Sequence, residues 1–287
     1  MEIAIQNWVT HQRNEYKKVD MLAKAGFANV DWDLRRYYEP STYMTESIED
    51  CTAHNTALRE YMDKNGITVV QTHSTFPTYI GEKNELKMLA ALENCFLATS
   101  ILGAKYTVVH PLMPKKWEGS ENREVRLNAN IKFYNEIAPL AKKYDVVICI
   151  ENMFGSFLAG KYKETACSRY EEMLVLFDAL DDSNRFGFCF DAGHANLLYK
   201  DKIAEMIRAL GTNIKVVHLH DNGGKLDMHR PPREGNVDWG TVMHTLREVG
   251  FNGVYDFEIM PCLGTFNRTR KLTKLHDYLL EFVSDYE

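Results

Sequence analysis

Eight short runs rich in Val, Ile and aromatic residues alternate along this chain with longer stretches of helical spacing. Strand and helix in strict turn predict parallel pairing with helical crossovers. The strand-like runs are Glu2–Val9, Asn29–Leu34, Ile67–His73, Tyr106–Pro111, Val146–Asn152, Arg185–Ala192, Ile214–Asp221 and Gly253–Ile259. Helical spacing marks Glu15–Ala25, Ser47–Lys64, Glu85–Leu102, Glu121–Lys143, Arg169–Leu180, Lys202–Leu210, Trp239–Val249 and Lys271–Val283. Gly26, Gly66 and Gly103 stop the first three of these. Eight such units in 287 residues close most simply into an α/β (β/α)8 barrel, one domain over residues 1–287. The competing open, doubly wound sheet carries a GxGxxG turn after its first strand, and this chain has none.

Six of the runs finish on side chains that bind metals: His73, His110, Glu151, Asp191 with His194, His218 with His220 and Asp221, and Glu258. An unpaired charge beneath a sheet costs several kcal/mol, on the order of 2–7 even for a neutral polar group, so a core has no use for this pattern. The C-terminal mouth of a parallel barrel does, because active sites sit there. Parity agrees. Alternate residues share a face, so Cys149 leads to Glu151, Cys189 to Asp191 and Val216 to His218. One histidine at a strand end is ordinarily a satisfied structural residue, and one glutamate an ion-pair partner. Six in succession point to a divalent metal. Mixed carboxylate and imidazole ligands suit Mn²⁺, Zn²⁺, Co²⁺ or Fe²⁺ better than Ca²⁺. With no cysteine at the mouth, a thiolate zinc site is not expected.

Net charge is -6, which argues against a phosphate-tracking surface and disfavours nucleic acid as a partner. The N-terminal text lacks the basic and apolar regions of a signal peptide, and no apolar run reaches membrane-spanning length. The six cysteines, Cys51, Cys95, Cys149, Cys167, Cys189 and Cys262, show no CxxC pairing. Those inside strand runs read as small buried hydrophobes. The expected setting is the reducing cytoplasm, with no membrane association; a homo-oligomer is compatible with the sequence.

Taken together, Ile150-Glu151-Asn152, Phe190-Asp191-Ala192-Gly193-His194, His218-Leu219-His220-Asp221-Asn222, Asp227-Met228-His229, Gly235-Asn236-Val237-Asp238-Trp239 and Phe257-Glu258 resemble the xylose isomerase-like barrel superfamily. The likeness covers most of the chain. It implies sugar or sugar-phosphate isomerase or epimerase chemistry, or the related endonuclease IV reaction. In the isomerase branch it implies one metal held by Glu151, Asp191, His218 and Glu258. The two glutamates, Glu151 and Glu258, would exchange the substrate's proton, and His194 would touch the substrate. In the endonuclease branch it implies three zinc ions, with His73, His110, His194, Asp227 and His229 as further ligands. Endonuclease IV relatives look like His-Ala-Pro-Tyr, His-Pro-Gly and Glu-Asn-Thr-Ala-Gly-Gln-Gly, where this chain has His73-Ser-Thr-Phe-Pro, His110-Pro-Leu-Met and Glu151-Asn-Met-Phe-Gly-Ser-Phe. The Asn236-Val237-Asp238-Trp239 ending is more typical of the isomerase branch.

The leading expectation is therefore a metal-dependent isomerase or epimerase of a small sugar-like substrate. A three-zinc phosphodiesterase, a dehydratase on the same barrel and a non-catalytic ligand-binding barrel are the alternatives. Arg233 stands where relatives often place glycine, and with His194 it is a candidate substrate contact, as is Trp8 at the mouth. Plain loop solvation for Arg230 and Arg233, and packing for Trp8 and Trp32, are the competing readings. His220 and Asp221 are expected to contact ligands or substrate, or simply to cap their loop. His11, His54, His244 and His276 read as surface residues. Lys115–Arg126, with Trp117, reads as the start of a solvated helix or as a lid.

Overall fold

The computed structural model describes residues 1–34, 46–77, 85–113, 123–158, 161–260 and 267–287, with only the backbone given for residues 85, 156–158 and 161–163. Residues 114–122, which hold most of the candidate lid, and Cys262 lie outside the described residues.

The chain forms β1 (Ile3–Gln6), α1 (Glu15–Ala25), β2 (Asn29–Asp33), α2 (Ile48–Lys64), β3 (Thr68–His73), α3 (Glu85–Ile101), β4 (Tyr106–Val109), α4 (Arg123–Lys143) and β5 (Val147–Glu151). It continues through a hairpin of β6 (Ser156–Leu158) and β7 (Lys161–Lys163), then α5 (Tyr170–Asp178), β8 (Phe186–Asp191), α6 (Ala192–Leu198) and α7 (Ile203–Leu210). The last elements are β9 (Ile214–His218), α8 (Trp239–Glu248), β10 (Tyr255–Phe257) and α9 (Arg268–Ser284). Local chemistry sets several of these boundaries. Asn14 and Ser47 cap α1 and α2 by accepting from the backbone N–H three residues on, and Gly26 ends α1 at a left-handed φ of 101°.

Eight strands pair in parallel in the order β10-β1-β2-β3-β4-β5-β8-β9. The ring closes through Leu219, which bridges to Phe257; its N–H donates to Asp256 O at 2.8 Å, and its carbonyl accepts from Glu258 N–H at 3.2 Å. This is the (β/α)8 barrel expected from the alternation.

Parity divides each strand. Ile148, Ile150, Phe188, Phe190, Val109 and Val217 face outward and join the large core with the helices. Val108, Cys149, Cys189 and Val216 form a separate small cluster inside the barrel. The other side of the interior is polar: Gln6, Asp31, Gln71 and Asp256 are all buried. Trp32 is fully buried in the outer core, which is the packing role.

Three differences from the sequence expectation bear on the mouth of the barrel. β1 ends at Gln6, and Asn7–Thr10 forms a 3-10 turn that carries Trp8. β9 stops at His218 rather than Asp221. Asp221 instead exchanges two backbone hydrogen bonds with Arg230, at 2.8 and 2.9 Å, so the connection folds back on itself. An unexpected helix, α6, starts immediately after Asp191, whose carboxylate caps it by accepting from His194 N–H at 2.6 Å. A short apolar stretch of seven residues carries too little periodicity to announce a helix.

Phe188 is fully buried, with its ring 5.0 Å from that of Phe177. Phe188→Ala is expected to cost about 3–5 kcal/mol, read as a lower urea midpoint with an unchanged slope. A cost under about 1 kcal/mol would contradict this packing.

Candidate metal centre

The mouth gathers every ligand candidate into one cluster, and it does so from six strand ends, the start of α6 and the β9–α8 connection. Glu151 stands at the centre, 1% exposed. Its Oε1 lies 3.2 Å from His218 Nδ1 and 3.5 Å from His194 Nδ1. Its Oε2 lies 2.7 Å from His110 Nε2 and 3.8 Å from His73 Nε2. Glu258 Oε2 reaches the same His218 Nδ1 at 3.1 Å, while Gln6 donates to its Oε1 at 3.0 Å.

Three ligand groups adjoin. His73, His110 and Glu151 form one, Glu151, Asp191, His218 and Glu258 a second, and His194, His220, Asp227 and His229 a third; within each, the ligand atoms lie within 4.8 Å of one another. The imidazoles are oriented for this. The Nδ1 atoms of His73, His194 and His229 lie 3.0, 2.9 and 2.9 Å from the backbone carbonyls of Ser74, Asn152 and Glu258. A carbonyl only accepts, so each Nδ1 carries a proton and each Nε2 is the ring nitrogen turned into the cluster. His73 Nε2 and His110 Nε2 are 3.1 Å apart, a spacing that suits a shared cation.

The charge balance fits a metal as well. Glu151, Asp191 and Glu258 are buried and, among the described residues, face imidazoles but no lysine or arginine. Burial opposes the ionisation of Glu151, yet His110 and His218 hold its carboxyl well below the usual range. Burial likewise opposes Glu258, and His218 and His229 outweigh it, holding this carboxyl down. Asp227 is held low against burial by His194 and His229. Its Oδ1 has no hydrogen-bond partner. A divalent cation supplies what these oxygens and nitrogens lack, so the residues fit the group.

His220 and Trp8 stand at the cluster as the sequence suggested, whereas Phe76 and Phe154 were not picked out. His220 Nε2 lies 3.0 Å from Asp191 Oδ2 and 3.8 Å from Asp227 Oδ1, linking the second and third groups. Gly193 permits this, because a Cβ there would stand 1.9 Å from the His220 ring. Phe76 stacks on His110 with centroids 4.6 Å apart, and Phe154 tilts against His194 at 4.7 Å. Both stand three residues past a strand-end ligand, which was the available signal. Trp8 meets His229 edge-on at 5.4 Å.

Two expected participants serve elsewhere. Asp221 organises its own loop, accepting from Asn222, Arg233 and Val237 backbone N–H groups and from Trp239 Nε1. Arg233 takes a left-handed φ of 69°, and its guanidinium pairs with Asp285 at 2.6 Å and lies over the Phe282 ring. It is not brought to the cluster, so the structure does not support it as a substrate contact. A glycine would adopt that φ without strain.

Residues 19–279 match the profile of a family described as xylose isomerase-like TIM barrel. A probable endonuclease 4 of Shouchella clausii is 24% identical over 257 residues, covering 84% of this chain and 83% of the relative. Among solved structures, a D-tagatose 3-epimerase-like protein superposes with a TM-score of 0.74 at 23% identity, covering 99% of both chains. IolI protein with a binding zinc atom gives a TM-score of 0.77 at 17% identity, over 100% of this chain and 99% of that one.

Stability without metal is expected to depend on pH through the third group. Burial opposes the His229 charge, but Asp227 and Glu258 outweigh it and push its pKa up to about 9. A raised pKa stabilises the fold fully below the unfolded value of about 6.5, and that contribution fades as pH rises through about 9. In chelator-treated protein the urea midpoint should fall between pH about 6.5 and about 9.5, a loss on the order of 3 kcal/mol. His229→Gln should flatten the profile; a wild-type midpoint constant across this window would contradict the pairing.

Proposed function

The chain belongs to the xylose isomerase-like TIM barrel family, and from that premise we propose that it is a metal-dependent isomerase or epimerase of a small, sugar-like hydroxy-carbonyl compound. The observation that carries this reading is the convergence of two carboxylates. Glu151 and Glu258 meet one atom, His218 Nδ1, at 3.2 and 3.1 Å, and both are held ionised. Isomerisation beside a carbonyl needs a base that removes a proton and an acid that returns it nearby or on the other face. Two carboxylates about one point supply that pair once one of them has taken up a proton.

Glu151, Asp191, His218 and Glu258 are the proposed ligands of a divalent metal such as Mn²⁺, Zn²⁺ or Co²⁺. When bound, such a metal polarises a carbonyl and offsets negative charge developing on its oxygen. One glutamate, ionised, would take the proton from the carbon beside the carbonyl; the other would return a proton only after picking one up from solvent or substrate, or the first would return the proton it took to the neighbouring carbon. Gln6, donating to Glu258 Oε1, leaves Oε2 as the oxygen turned toward the centre. His194, Trp8, Phe76 and Phe154 border the cluster, where rings of this kind flank a sugar. The similar structures named for epimerisation of D-tagatose and D-psicose support this substrate class.

One observation favours a second reading, phosphodiester hydrolysis with three metals. Glu151 presents its second oxygen to His110 and His73, and a third ligand group stands beside it. The relatives named probable endonuclease 4 support it. The acidic net charge of -6 counts against a DNA substrate.

Two measurements separate the readings. Elemental analysis of purified, metal-replete protein should give one or two ions per chain, and three zinc ions would favour hydrolysis. Glu258→Gln should abolish exchange of substrate hydrogen with deuterated solvent; full exchange in that variant would refute the proton-transfer role.

A further inference from the structure

Beneath the mouth, inside the polar half of the barrel, His218 has a second carboxylate partner. Its Nδ1 faces Glu151 and Glu258, and its Nε2 lies 3.3 Å from Asp31 Oδ2. His218 and Asp31 are both fully buried. Asp31 is braced in turn by Gln71, whose amide donates to the same Oδ2 at 3.2 Å. Asp256 completes the pocket: it too is fully buried, and it lies in ligand-atom reach of both Asp31 and His218.

The contrast with the neighbouring imidazoles gives this contact its meaning. His73, His194 and His229 each have their outer nitrogen fixed by a backbone carbonyl. His218 sits at a strand end with its ring turned down the barrel, where the strand carbonyls are committed to the sheet. A side chain has to do for His218 what the backbone does for the other three. The Asp31 contact is long and off the ring's N–H axis in the metal-free geometry, so a small ring rotation is needed to close it.

We propose that Asp31, held by Gln71, is a positioning residue for His218: it accepts the Nε2 proton, fixes the ring's orientation and leaves Nδ1 as the metal-binding atom. The proposal rests on His218 being a ligand, as in the function proposed above. An outer carboxylate of this kind orients the imidazole and raises its basicity, and losing one typically costs 10- to 100-fold, roughly, in metal affinity.

The test is metal affinity measured by chelator competition on the full chain, with zinc as the probe. Asp31→Leu should bind zinc about 10- to 100-fold more weakly. Asp31→Asn, whose amide oxygen still accepts from Nε2–H, should recover most of that loss. A purely structural role would not distinguish an acceptor in this way. In zinc-loaded wild type and Asp31→Asn, long-range ¹H–¹⁵N correlations should show His218 protonated at Nε2 and metal-bound at Nδ1, a readout that survives even if Asp31→Leu fails to fold. His218→Ala separates the two claims. If it binds zinc like wild type, the ligand assignment falls and the Asp31 role with it. If His218→Ala loses affinity while Asp31→Leu keeps it, or if His218 binds zinc through Nε2, the Asp31 role alone is overturned.

Discussion

The structure turns on a buried carboxylate, Glu151, shared between two sets of imidazoles. One oxygen serves His218 and His194; the other serves His110 and His73. Burying this group beside Asp191, Asp227 and Glu258 is costly unless positive charge comes with it. The imidazoles around them oppose this cost: burial would lift Glu151, Glu258 and Asp227 toward neutrality, but the facing histidines hold all three carboxyls down. A metal does the same with directed bonds. Metal binding at the proposed site would displace protons from imidazoles such as those of His194 and His218, whose pKa values the acids raise against burial.

The barrel makes such a cluster affordable by putting its two halves to different use. Val108, Cys149, Cys189 and Val216 fill one side of the interior with small apolar groups. Gln6, Asp31, Gln71 and Asp256 line the other: Gln6 bonds Glu258, and Asp31, held by Gln71, faces His218. The helices pack on the outward residues of the same strands. Each strand thus carries fold on one face and site on the other, and its last inward residue stands at the mouth.

The period of two is also why so much was legible. Glu151, Asp191, His218 and Glu258 each stand at the end of a run, and alternation puts the first three on one side, so the pattern placed them at the mouth; singling out these four as a set came from the family resemblance. The loop ligands Asp227 and His229 were visible only through the family resemblance, and the structure brings them to His194. Other features had no such signal. Asp31, Gln71 and Asp256 lie within strands, where a polar residue looks the same whether it meets a ligand or solvent. His220 reaches Asp191 only because Gly193 leaves room, a contact between segments that spacing cannot show. Arg233 was misleading because charge suggests a substrate, whereas its left-handed backbone turns it toward Asp285.

The claim that the buried carboxylates are built around a metal has a direct test. Crystals of chain loaded with Mn²⁺ or Zn²⁺ should give an anomalous difference peak bonded to Glu151, Asp191, His218 and Glu258 at about 2.0–2.2 Å, the range for zinc. Strong anomalous density elsewhere on the molecule, with none among these four residues, would contradict the account.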